Sequence, residues 1–146
     1  MKKMIFVFLG ILACANVMAS ENDFRCLKSL NANNPIRLRF DFPDQDEKIG
    51  YVTYQKGSER IQVKNTNTKE TRKASDGRSS EFEAEWVETI ANSEGGKYLI
   101  INQATRIYDF KYIRKKDGKV FRFVEDFEAL VENGCRWQIQ KSSNDK

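Results

Sequence analysis

The stretch "EFEAEWVETI" (81–90) alternates carboxylates with bulky apolar groups. As a strand it sets Glu81, Glu83 and Glu85 in a row on one face and Phe82, Ala84 and Trp86 on the other. Glu88, close by, extends the acidic patch. Side chains two apart on a strand stand about 7 Å apart, a spacing at which carboxylate pairs hydrolyse glycosides. Such a pair also needs one carboxyl raised in pKa by an apolar wall, and three equivalent glutamates on a wet face lack that asymmetry. Calcium sites use loop carbonyls and a glycine bend, which the row does not offer. The row therefore reads as a non-catalytic surface: a stripe that contributes to binding a basic partner, or a solvated sheet face.

Other chemistries are excluded by composition. The chain has no His, so it lacks the base of Ser-His-Asp and Cys-His nucleophilic sites. With three Cys and no His, a structural zinc site has too few ligands. No catalytic residue, metal ligand or cofactor is expected. Basic side chains gather between Lys56 and Arg78, and at Arg114, Lys115, Lys116 and Lys119. These are turn charges that could touch anionic lipid headgroups. Nucleic acid is not an expected partner, because the chain shows no stacking-platform motif.

The N-terminus places the protein. Lys2 and Lys3 precede the apolar run "MIFVFLGILACA" (4–15), and Val17-Met18-Ala19 supplies tolerated residues for cleavage before Ser20. Residues 1–19 are read as a signal peptide and residues 20–146 as a single β domain, periplasmic or secreted. The run is shorter than the roughly 20 residues of a membrane span. The alternative is lipidation at Cys14, within the loose lipobox "ILAC". The net charge of +4 falls to +2 once Lys2 and Lys3 leave. Either cleavage leaves Cys26 and Cys135, which in an exported protein read as a disulfide.

The elements that must carry these residues read as mainly β. "IRLRFDF" (36–42) alternates, "IGYVTYQK" (49–56) is rich in β formers, and Gly57-Ser58 turns into "RIQVKNT" (60–66). Residues 67–80 are expected to form a long polar loop. The opening stretch also fits a helix, with Ser80 and Glu83 as a capping box, but its strand neighbours favour a strand. After a turn at Asn92–Gly96 comes the strand "KYLIINQ" (97–103). Asp117-Gly118 predicts a two-residue type I′ hairpin in 108–124. That register sets Tyr112 opposite Phe123 and Arg114 opposite Phe121, with Tyr108, Phe110 and Tyr112 facing the core. One short helix is expected within 126–134, ending near Gly134, before a last strand "CRWQIQ" (135–140). The sum is a single antiparallel β-barrel or sandwich of about 7–8 strands, whose first and last strands are neighbours joined by Cys26 and Cys135.

"FRC" (24–26) at the start of the domain and "YVTYQKGSERI" (51–61), behind an export signal, resemble the small bacterial periplasmic inhibitors of c-type lysozyme. The resemblance implies a compact antiparallel barrel that inhibits a basic hydrolase. Neither Ser75-Asp76-Gly77 nor Ser93-Glu94-Gly95 reproduces that family's Ser-Gly binding loop, so no inhibitory residue is carried over. The expected function is an exported, non-catalytic binding protein, an inhibitor or immunity factor against a basic envelope hydrolase or toxin. The alternatives are a small-ligand or lipid-binding barrel and, less favoured, a carboxylate-based hydrolase.

Overall fold

The structure, a computed structural model, describes residues 23–44, 48–57, 59–91 and 93–138. The leader, Cys14 and the tail beyond Gln138 lie outside the described residues. Eight strands run as an up-and-down meander and close into a barrel: β1 (Phe24–Ser29), β2 (Arg37–Asp41), β3 (Ile49–Tyr54), β4 (Arg60–Arg72), β5 (Glu81–Ile90), β6 (Ser93–Gln103), β7 (Arg106–Ile113) and β8 (Val120–Glu125). Every neighbour pair is antiparallel, and β8 returns to β1 through Leu27–Glu125 and Ser29–Phe123. A separate two-stranded hairpin follows, β9 (Leu130–Val131) with β10 (Gly134–Cys135).

Alternation along each strand fills the barrel. Leu27, Leu38, Phe40, Val52, Val63, Tyr98, Ile100 and Phe110 are buried in one core. Phe40 is its centre, with Trp86, Tyr98 and Phe110 set edge-on at ring distances of 5.6–5.8 Å, the geometry that aromatic quadrupoles favour. The interior is thus a packed core and not a deep calyx. No helix among the described residues is long and apolar enough to cross a membrane.

The C-terminal expectations are corrected. "DFEALVENG" is not a helix: it makes a tight turn, with Ala129 N–H donating to Asp126 C=O at 3.0 Å, and then enters β9. A nine-residue helix would carry the chain about 13 Å onward. The Cys26–Cys135 bond, with Cα atoms 5.8 Å apart, instead requires reversal back to β1. Phe127, within that stretch, is 70% exposed. The described part of "CRWQIQ" is not a barrel strand either: Cys135 belongs to β10, Arg136–Gln138 turn helically, and residues 139–140 lie outside the described residues. The disulfide therefore ties an appended hairpin to β1, where Cys26, Ala129, Cys135 and Trp137 form a second small core against Phe24.

Two hairpins also differ from expectation. β4 continues through residues 67–72, paired with β5 up to Arg72–Glu81, so the expected long loop shrinks to a tip. There Asp76 (φ 48°) and Gly77 (φ 74°) make a type I′-like turn closed by Ser75 and Arg78. At 117–118 only Gly118 has positive φ. The loop spans four residues, with Arg114 N–H to Lys119 C=O at 2.9 Å and Gly118 N–H to Arg114 C=O at 2.8 Å. The Asp117 carboxylate, held by Arg114 and by the Lys119 N–H, favours this wider turn. The register consequently moves by two: Tyr112 faces Phe121, and Phe110 faces Phe123. Since the side-chain period is also two, the inward set survives. Tyr108 is the exception. A register shift between Ile101 and Asn102 turns Ile107 inward and leaves Tyr108 50% exposed. The reversal after β5 is also shorter than the expected Asn92–Gly96 turn, because β5 and β6 stay paired to Ile90–Ser93.

Candidate functional site

The opening stretch is a strand, and Glu81, Glu83 and Glu85 do share its outer face. They are not a free acidic stripe. Arg72 lies directly across from Glu81 at 2.6 Å, Lys69 across from Glu83 at 2.9 Å, and Lys97 reaches Glu85 at 3.2 Å. The Thr71 hydroxyl, then Arg72, holds the Glu81 carboxyl below its ordinary value, and the Thr66 hydroxyl, then Lys97, does the same for Glu85. Exposed cross-strand pairs of this kind contribute little stability each but cancel one another's field.

Glu88 is not part of that surface. It is four residues after Ala84 on the inward row and is only 4% exposed. Its Oε1 accepts the Tyr98 hydroxyl at 2.8 Å, and its Oε2 accepts Gly96 N–H at 3.0 Å and the Tyr112 hydroxyl at 3.4 Å. Tyr54 lies 2.7 Å from Tyr98. Tyr98 spends its single O–H on Glu88, so Tyr54 donates to Tyr98, and a chain of hydroxyls ends on the carboxylate. Burial, before any charge, raises all three phenols: Tyr112 to about 12, Tyr54 and Tyr98 further. Gly95 and Gly96 make the cluster possible. A Cβ at Gly95 would stand 2.7 Å from Glu88 Oε2, and one at Gly96 would collide with the Tyr112 ring. This cluster seals the barrel end that carries the β3–β4, β5–β6 and β7–β8 turns.

The opposite end is open. Phe42, Ala84, Trp86, Ile100 and Ile107 line a cavity of about 260 Å³, with Asn65, Thr68, Asn102 and Thr105 among its polar lining. Each side chain has a local reason to be there. Ala84, Trp86 and Ile100 are inward positions towards this end of β5 and β6. The register shift between Asn65 and Asn67 turns β4 so that Asn65 and Thr68 both reach the cavity. The shift in β7 brings in Ile107. Arg25, inward on β1, crosses one side of the opening. It meets Asp23 at 2.8 Å and Glu125 at 3.2 Å and donates to Thr105 C=O at 3.2 Å. Trp86 is 6% exposed, and its Nε1, like that of Trp137 in the second small core, is buried without a hydrogen-bond partner among the described residues. A shallow groove of about 590 Å³ adjoins the cavity and shares Phe42, Asn65, Thr68 and Trp86 with it.

Sequence spacing brings only Ala84 and Trp86 together, on one face of β5; the rest of the mouth comes from other strands and was not gathered by the sequence. The inward place of Glu88 was missed, although its parity with Trp86, and not with Glu85, is the signal that could have found it. Among the described residues no group of His, Cys, Asp and Glu could hold a metal ion. No family model matches the chain, nor does any curated protein or solved structure, so its function is argued from its own geometry.

Proposed function

We propose that the protein is an exported, non-catalytic binding protein that takes a small ligand at the open mouth of its barrel. The observation that carries this is the open mouth itself: a cavity of about 260 Å³ with Phe42, Ala84, Trp86, Ile100 and Ile107 as apolar walls and Asn65, Thr68, Asn102 and Thr105 among its polar lining. A concave, mostly apolar site with a few polar groups is the form that small-ligand pockets take. Export agrees with the leader read from residues 1–19 and with the Cys26–Cys135 bond, which belongs to an oxidising compartment. The packed core beneath Trp86 favours a short ligand over a long lipid tail. Inhibition of a basic hydrolase through Glu81, Glu83 and Glu85 is the second reading. Such a partner would have to displace Lys69, Arg72 and Lys97 from their pairs.

The test is native mass spectrometry of the protein recovered from the periplasm, with Ala84→Leu as a variant that fills the mouth and Glu83→Lys/Glu85→Lys as one that reverses the wall. The mouth reading expects a small-molecule adduct that Ala84→Leu loses and the wall variant keeps. A protein partner lost only in the wall variant would replace it with the second reading.

A further inference from the structure

Beyond the mouth, we infer a second binding surface: the free edge of β4 over residues 66–72 takes up an extended segment of another protein as an added strand, one that alternates acidic and apolar residues. Strand length creates this edge. β3 pairs with β4 only as far as Ile49–Lys64, and the last backbone bond across that seam runs from Asn65 N–H to Lys48 C=O at 2.8 Å. β4 continues to Arg72, paired only with β5 among the described residues. Every residue from 66 to 72 is exposed.

The backbone direction follows from alternation. Asn65 turns its N–H towards β3 and lies opposite Trp86 on β5. Ala84 and Phe82 share the parity of Trp86, so their partners Thr68 and Glu70 likewise turn N–H and C=O away from β5. No described strand stands there to receive them. An edge of this kind is a template for strand addition. It also forms one side of the groove of about 590 Å³, with Phe42, Pro43 and Lys48 across from it and Trp86 at the mouth. An added strand would lie in that groove, in line with the place β3 vacates.

Side chains then set the partner's chemistry. Opposite Thr68, the added strand turns its side chain to the inner face, towards Phe42 and Trp86, where an apolar group fits. Its alternate side chains stand on the outer face beside Lys69 and Arg72, which are 57% and 55% exposed. β5 shows what these cations accept. Along the other edge of β4, Glu83 and Glu81 meet Lys69 and Arg72 on the outside while Ala84 takes the inside. A partner with the same alternation matches the free edge in the same way. Among the described strands only β5 carries such a row of acids, and it is already paired on both sides. The strand therefore comes from another protein. Bulges at Asn65/Asn67 and Glu70/Arg72 interrupt the edge and keep it from pairing with any strand at random.

The test uses the full exported chain labelled with ¹⁵N and a short capped peptide alternating Glu and Val. One control alternates Lys and Val, and a second is the Glu/Val peptide with Pro at its centre, which lacks a central N–H. Each is titrated to millimolar concentration. The Glu/Val peptide should shift the Thr68 and Glu70 amides saturably and slow their hydrogen exchange. The Lys/Val peptide should bind about tenfold more weakly, because it sets like charges beside Lys69 and Arg72, and the Pro peptide should also lose affinity. Equal binding of the Lys/Val peptide would overturn the acidic partner. Equal binding of the Pro peptide, or shifts confined to Ala84, Ile100 and Ile107, would overturn strand addition and leave the mouth reading in place. Slow exchange at Thr68 and Glu70 in the protein alone would overturn it too: slowing that grows with protein concentration assigns the edge to a second copy, and slowing at every concentration assigns it to this chain's own residues. If no peptide binds, the added strand falls, whereas the small-molecule adduct expected at the mouth is unaffected.

Discussion

Replacing Glu88 tests the closed end of the barrel. Three donors converge on its carboxylate, and two of them, Gly96 N–H and the Tyr98 hydroxyl, have no route to water. Glu88→Ala orphans the Gly96 N–H, at about 1–3 kcal/mol, turns the Tyr98 hydroxyl onto Tyr54 and leaves a small cavity, so a loss of about 3–5 kcal/mol is expected. Tyr112 is half-buried and can turn to solvent, so it adds little. Glu88→Gln should cost less, about 1–2 kcal/mol. Its oxygen can keep Gly96, while its NH₂ meets Tyr98, whose hydroxyl then reverses to donate to Tyr54. Only the charge-assisted part of the bonds is lost. The assay is urea unfolding followed by tryptophan fluorescence with the disulfide intact, reading the midpoint at constant slope. The reversal also predicts coupling: in a Tyr98→Phe background the Glu88→Gln cost should change by about 1 kcal/mol or more. Equal costs for the Ala and Gln variants, or strict additivity with Tyr98→Phe, would refute the hydroxyl chain. A Glu88→Ala protein as stable as the wild type would refute the burial argument outright.

Four further outcomes are expected. Because Tyr112 is held at about 12, the folded protein keeps a proton that the unfolded chain releases near 10; stability should be fully present below pH 10 and decline as pH rises towards 12, and Tyr112→Phe should flatten part of that decline in alkaline unfolding curves. Reducing the Cys26–Cys135 bond, which spans 109 residues, should lower stability by about 4–5 kcal/mol, read from urea midpoints with and without reductant. Phe123→Ala should cost about 3–5 kcal/mol and Lys116→Ala under about 0.5 kcal/mol, since the first empties the core beside Phe110 and the second trims an exposed turn; similar costs would contradict the register. The Asp117 carboxyl, held at about 2 first by Arg114 and then by the Lys119 N–H, should contribute stability above its ordinary pKa that fades as pH falls towards 2, and Asp117→Asn should remove that acid-side slope.

Much of the barrel was legible because strand faces depend on parity alone. Leu38 and Phe40, Ala84 and Trp86, and Phe110 with Phe123 could be assigned to faces without knowing any partner strand, whereas Phe82, expected beside Ala84 and Trp86, is exposed outside the core. Register was not legible in the same way. Asp-Gly occurs at both 76–77 and 117–118, but only at 76–77 do both residues take positive φ. At 117–118 the Asp117 side chain prefers Arg114 and the Lys119 N–H, and the loop widens. Bulges escaped for a related reason: nothing local to Tyr108 says that its strand will slip against β6. The expected helix at 126–134 failed because a long-range constraint, the bond to Cys26, outweighed local periodicity. Cys135 was correctly paired but wrongly placed, since a disulfide to the first strand does not require the second cysteine to lie in the last one.

The two ends of the barrel divide the protein's polar chemistry. At one end a carboxylate, three phenols and a backbone N–H satisfy one another so completely that the cluster offers nothing to a partner. At the other, Asn65, Thr68 and Asn102 are satisfied among themselves and their neighbours, while Trp86 is not. The difference follows from strand length. β4, β5 and β6 span 13, 10 and 11 residues, whereas β1 to β3 span 5 or 6. The long strands rise past the level that the short ones can cover, so inward side chains at their upper turns have no opposite wall. A barrel with eight equal strands could close both ends with side chains. Here the unequal wall keeps one end unfinished, and the cavity between Phe42, Ala84, Trp86, Ile100 and Ile107 is what that leaves open.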